Sequence, residues 1–187
     1  MTGVTRFACG VVVLLFAAIA AGCTSTSAGA PKPAVTAAES TGDEPTRPRE
    51  IRLDDVDPCT LLPEAEYEDY YLDEPGKPEE SDRGEDQCVW YGDAGYMGVS
   101  LVTYDGVDAR KGRYGQMEPT DPVEGFPAYT ITLPGDEDNA CFVLVDTADG
   151  QYLDVQVGLY DTSRDVPAPC EYAHQFASSV MSTLLTS

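Results

Sequence analysis

The chain has 187 residues and a formal charge of −22, with 33 acidic against 11 basic side chains, 6 Cys and a single His. The length suits one ordinary domain with tails. The acidity argues against a nucleic-acid partner, because phosphate backbones are gripped by Lys and Arg, and one His leaves little for a histidine-based metal or catalytic centre.

In chain order, the first element is an address rather than a fold. Met1 to Arg6 carries little charge, and an apolar run follows from Phe7 to Ala21, broken only by Gly10. This run is shorter than the ~20 residues a membrane span needs. It ends in Ala20-Ala21-Gly22-Cys23, small residues before a Cys that resemble the lipobox of bacterial lipoproteins. Residues 1–22 are therefore expected to be a removable signal and Cys23 the lipidated first residue of the mature chain. A plainly cleaved signal and an uncleaved anchor are the alternatives. Residues 24–50 are rich in Ser, Thr, Ala, Gly and Pro and hold no aromatic residue. They cannot bury enough surface to offset their ordering entropy, so residues 23–50 read as a lipidated tether, with a reach of roughly 25–30 Å.

A single domain is expected over 51–187. Asp57-Pro58 suits a helix start, with the cap before Pro at the first position, and Leu61, Leu62, Ala65 and Tyr70 form a helical stripe to about Leu72. Seven acids crowd the loop at 73–86. Strands are predicted at Gln87–Tyr91 and Tyr96–Tyr104, joined by Asp93-Ala94-Gly95. A short helix follows at Val107–Tyr114, then a loop at 115–125. Three more strands are predicted at Phe126–Leu133, Ala140–Asp146 and Gln151–Leu159, the last two joined by the turn-forming pair Asp149-Gly150. A final helix opens at Ala168-Pro169-Cys170 with Ala173, Phe176, Ala177, Val180, Met181 and Leu184 on one face. The expected fold is α+β: a mainly antiparallel five-stranded sheet, N- and C-terminal helices packed on one face, and two disulfides.

Cys9 lies in the signal and Cys23 takes the lipid, leaving Cys59, Cys88, Cys141 and Cys170 in an exported domain. Of three possible pairings, Cys59–Cys88 and Cys141–Cys170 is favoured, because each bond ties a terminal helix to a strand. No CxxC motif or short-spaced ligand set points to redox chemistry or metal, and no metal or cofactor is expected.

Asp57-Pro58-Cys59-Thr60-Leu61-Leu62, Cys88-Val89-Trp90 and Pro169-Cys170 together resemble a family of small actinobacterial lipoproteins classed as a domain of unknown function. The resemblance covers about 51–187. It implies a lipid-anchored, disulfide-bonded α+β domain on the outer face of the plasma membrane, and no catalytic residues. Ala168 stands where an acid often precedes the Pro, which puts the cap of the last helix in question.

Catalytic patterns are thin. No Gly-x-Ser-x-Gly elbow or phosphate loop occurs. Asp136-Glu137-Asp138-Asn139 lacks calcium-loop spacing, and His174 is read as a helix-boundary residue. Two features rise above the acidic background. The basic cluster Arg110, Lys111 and Arg113 and the aromatic group Tyr67, Tyr70, Tyr71, Trp90 and Tyr91 form a candidate binding surface, against the plainer readings of a solvated loop and core packing. The preferred function is a non-catalytic binding or interaction module of the cell envelope, membrane-attached through Cys23, with a basic protein or a small molecule as partner. The alternatives are a secreted hydrolase or lyase using paired carboxylates, and a structural accessory of an envelope complex. With Arg6 removed in the signal, the acidic mature chain is repelled by anionic headgroups within a Debye length of ~8 Å, so the lipid rather than the protein surface is expected to anchor it.

Overall fold

The computed structural model describes residues 46–160 and 165–187. The signal, Cys23 and residues 24–45 of the tether lie outside the described residues.

Seven strands form one antiparallel sheet: β1 Lys77–Glu80, β2 Asp86–Tyr91, β3 Gly95–Val102, β4 Gln116–Val123, β5 Phe126–Thr132, β6 Ala140–Ala148 and β7 Gln151–Leu159. Their spatial order is β1-β2-β3-β7-β6-β5-β4. Two meanders are thus joined by the crossover from β3 to the far edge, and β7 returns to pair with β3 at the centre. The expected five strands are all present. The two additional ones, β1 and β4, are the edges. They escape a periodicity reading because edge strands need no apolar alternation. Lys77-Pro78-Glu79-Glu80 is exposed throughout, and β4 carries Pro119 and Pro122, residues that an edge tolerates and a central strand does not.

One long helix, α1 Pro169–Thr186, covers one face across β6 and β7. Its buried stripe includes the six residues expected from spacing, Ala173 to Leu184. Ala168 offers no side-chain cap. The expected N-terminal helix is absent. In its place stand three short 3-10 turns, Pro58–Thr60, Glu64–Glu66 and Glu68–Tyr70. Pro63 sits extended between the first two turns, at φ −65° and ψ 140°. Tyr71 closes the third in the left-handed region at φ 53°. Glu64 and Glu68, one turn apart, would repel in a helix. Leu61, Leu62, Tyr70 and Leu72 are buried without one, because these turns are fastened to the sheet. Ala65 stays exposed. The segment predicted helical at 107–114 is likewise a 3-10 turn, confined to Val107–Arg110.

Two disulfides fasten the layers: Cys59–Cys88 holds the first turn to β2, and Cys141–Cys170 holds the start of α1 to β6. Each spans 29 residues, worth roughly 3–4 kcal/mol in the chain-entropy account. The covered face holds Trp90, Val99, Val143, Val155 and Val157 under Phe176, Val180 and Met181, all fully buried. Residues 47–53, mostly counted with the tether from sequence, run along the β6–β7 end. Arg47 pairs with Asp146 at 2.7 Å and with Asp149, and Ile51 N–H donates to the Thr147 carbonyl at 2.8 Å.

Candidate functional site

Among the described residues no α-helix lies over the sheet's other face. Val102, Val107, Ile131, Leu144 and Tyr152 form a small second core there, beneath the crossover chain that follows β3. Beside this core lies a cleft of about 420 Å³. One wall is the β1–β2 loop, with Ser81, Asp82 and Arg83. The other is Arg110 and Tyr114. The floor is Ser100 of β3, Asp154 and Gln156 of β7, Phe142 of β6 and Ile131 of β5. Strict alternation explains the floor: on β7, Leu153, Val155 and Val157 face α1, which turns Asp154 and Gln156 to the open side.

Asp154 is buried between two guanidinium groups. Arg83 Nη2 lies 3.0 Å and Arg110 Nη2 3.4 Å from the same oxygen, Oδ2. Arg83 Nε also pairs with Glu85 Oε1 at 2.8 Å. Glu85 further accepts from Tyr104 OH at 2.6 Å and from the Ser81 hydroxyl. Burial pushes the Asp154 carboxyl up to about 6, with the hydrogen bond and charge of Arg83 opposing the rise. Burial acts the same way on Glu85, but Ser81, Tyr104 and Arg83 outweigh it and hold that carboxyl below its ordinary value. Burial also opposes the charge on Arg83, yet Asp154 and Glu85 win and raise its pKa. Glu85 and Asp154 therefore grip one cation from two sides. They do not face each other across open space as an acid and base would.

The expected binding surface is divided. Tyr67, Tyr70 and Trp90 belong to the covered face. Trp90 is fully buried and its Nε1–H donates to Tyr67 OH at 3.3 Å. Tyr70 packs edge-on to Phe176, and its hydroxyl meets Ser179 Oγ at 2.7 Å. Tyr71 is exposed beside these turns. Only Tyr91 reaches the open face, where it donates to Glu79 Oε1 at 3.1 Å and neighbours Tyr96. Tyr96 in turn neighbours Tyr160. The basic cluster divides too. Arg110 turns inward over the Tyr114 ring at 4.8 Å, Lys111 pairs with Asp108 at 2.6 Å, and Arg113 is exposed.

Arg83, Ser100, Asp154 and Gln156 were missed from sequence. The signal was present: an acid and an amide at alternate positions of an otherwise apolar central strand demand polar partners on the uncovered face. Two glycines keep that face low. A Cβ on Gly158 would fall 2.2 Å from the Tyr96 ring and one on Gly98 would fall 2.9 Å from Gln87 Nε2, so Tyr96 and Gln87 lie flat on the strands.

A larger hollow of about 600 Å³ borders Arg47, Arg49 and the β6–β7 turn. One wall is the segment from Thr46 to Glu50, and Arg47 is already held by Asp146 and Asp149. The Asp136–Asn139 turn is closed on itself, with Asn139 Nδ2 donating to Asp136 Oδ1 at 3.0 Å. Among the described residues no group of three or more His, Cys, Asp or Glu side chains converges to hold a metal. Nor, among them, is any helix long and apolar enough to cross a membrane.

No curated protein and no solved structure matches the chain. Residues 18–183 match the family described as "Protein of unknown function (DUF3558)", and the chain belongs to that family.

Proposed function

We propose that this protein is an exported lipoprotein of an actinobacterial envelope, anchored through Cys23, whose domain is a non-catalytic binding module with its site in the open-face cleft. The observation that carries the reading is the cleft's construction. Polar side chains from β3 and β7 are aimed out of a central sheet, and Arg83 and Arg110 are fixed by charge pairing before any ligand arrives. Preorganisation of that kind lowers the ordering cost of binding. A volume of about 420 Å³ lies in the range of small-ligand sites. The two acids of the network hold Arg83 between them, which disfavours the paired-carboxylate hydrolase. The disulfides suit an oxidising, extracytoplasmic setting.

Hydrogen exchange of the full chain with and without a detergent extract of the cell envelope tests the binding reading. Protection is expected in 79–87, 98–102, 107–114 and 154–156. Protection confined to the outer surface of α1, or none anywhere, sinks it. Anchoring is tested separately: Cys23→Ser should move the protein from the membrane fraction to the soluble fraction. A variant that stays with the membrane overturns the lipid assignment.

A further inference from the structure

We infer that the cleft takes a neutral, hydroxyl-rich ligand: one or more sugar units of a glycan. The inference rests on the binding reading above and assigns the ligand's chemistry.

Three observations select it. The first is what the charge network leaves unused. Both guanidinium contacts to Asp154 fall on Oδ2, so among the described residues Oδ1 keeps its lone pairs for an incoming donor. Arg110 is only 7% exposed, its Nε–H is buried without a partner, and among the described residues the guanidinium makes no hydrogen bond. A buried guanidinium with five donors and one long ionic contact is under-satisfied. The floor thus offers an acceptor and a donor side by side, with the Ser100 hydroxyl and the Gln156 amide adding both kinds. A sugar hydroxyl donates and accepts at once, and adjacent hydroxyls suit planar amide and guanidinium groups.

The second observation is charge. The rim carries Glu79, Glu80 and Asp82, which repel an anion before it arrives, while a cation reaching the floor meets Arg83 and Arg110. A neutral ligand avoids both penalties. The third is the apolar wall. Exposed Tyr114 and partly buried Phe142 stand beside the polar groups of the floor, a match for the C–H face of a sugar ring whose hydroxyls point the other way. Beyond the cleft the surface continues polar and aromatic: Gln156 Nε2 donates to Tyr96 OH at 2.7 Å, and Tyr96 leads on to Tyr91.

The test titrates the full chain, both disulfides intact, with neutral gluco-, manno-, galacto-, xylo- and arabino-configured oligosaccharides, with oligogalacturonate and with spermine. Amide chemical shifts are the readout. At least one neutral oligosaccharide should shift amides of 100, 110 and 154–156, and oligogalacturonate should bind about tenfold more weakly or worse. Gln156→Ala should weaken the neutral sugar about tenfold with only the small drop in thermal midpoint that follows from losing the Tyr96 hydrogen bond, and Ser100→Ala should also weaken it. The same sugar displayed on phosphatidylcholine vesicles separates a glycolipid headgroup from a free polysaccharide as its source. If no neutral sugar binds, or if binding is indifferent to both substitutions, the inference is overturned. If spermine or oligogalacturonate shifts the cleft and neutral sugars do not, the ligand class is wrong while the binding reading stands. If envelope extract also gives no protection there, both fall.

Discussion

Phe176→Ala should lower unfolding stability by about 3–5 kcal/mol, the range for emptying a large buried aromatic site. Phe176 is fully buried and lies where the three layers of the covered face meet. Its ring packs edge-on to Tyr70 at 5.0 Å and to Trp90 at 5.8 Å, contacts that add about 0.5–1.5 kcal/mol beyond simple burial. The first neighbour belongs to the 3-10 turns and the second to β2, so one truncation loosens α1, the turns and the sheet together. The turns hold only local i→i−3 backbone bonds of their own and depend for their place on this packing and on Cys59–Cys88. Urea unfolding measures the effect. A loss below about 1 kcal/mol would mean that the aromatic cluster is not the keystone of this face.

That cluster also shows what sequence can and cannot disclose. Residues such as Val143, Val155 and Phe176 announced their elements because burial imposes a period, 2 on strands and 3.6 on the helix. Lys77-Pro78-Glu79-Glu80 pairs with β2 through its backbone and exposed contacts to Tyr91, and such pairing leaves no apolar periodic trace. The stripe Leu61, Leu62 and Tyr70 is buried as its pattern required, but three short turns bury it as well as a helix would. Periodicity reports which side chains go inside. The backbone that puts them there was decided at Pro63 and Tyr71, and by a disulfide that docks the segment whatever its conformation.

The site was less legible than the fold for a related reason. Amphipathic character alone groups Tyr67, Tyr70, Tyr71, Trp90 and Tyr91 in the sequence, yet alternation sends Trp90 to the covered face and Tyr91 to the open one. Arg110, Arg83 and Asp154 come from three separate segments, and only the return of β7 to the centre of the sheet brings them together. In a chain with 33 acids, no spacing distinguishes Asp154 from the rest. Its place on the uncovered side of a central strand does.

Arg83→Met tests whether this network is an energetic unit. Arg83 spans Glu85 and Asp154 at 2.8 and 3.0 Å, and removing one partner from a buried ionic group leaves uncompensated charge. The expected loss at neutral pH is about 3 kcal/mol, the low end of the usual range, because Arg110 still neutralises Asp154 at 3.4 Å. The pH dependence follows from the direction of each shift. In the native protein Asp154 titrates near 6, against 3.8 when unfolded. The folded state therefore binds that proton more tightly, and Asp154's contribution to stability, complete below about pH 4, is lost as the pH rises through about 6. Glu85 behaves oppositely: its folded pKa lies below the ordinary 4.5, so its contribution is present above that value and is lost in acid. Without Arg83 both carboxyls shift upward. Asp154 then gives up stability over a window reaching above pH 6, and Glu85 loses part of what it gained. The gap between parent and variant should be widest at neutral pH and should narrow steadily toward pH 4. Urea unfolding of both proteins across that range decides it. A gap independent of pH would mean that the Arg83 side chain holds the β1–β2 loop by packing, and that the cleft's charges are set without it.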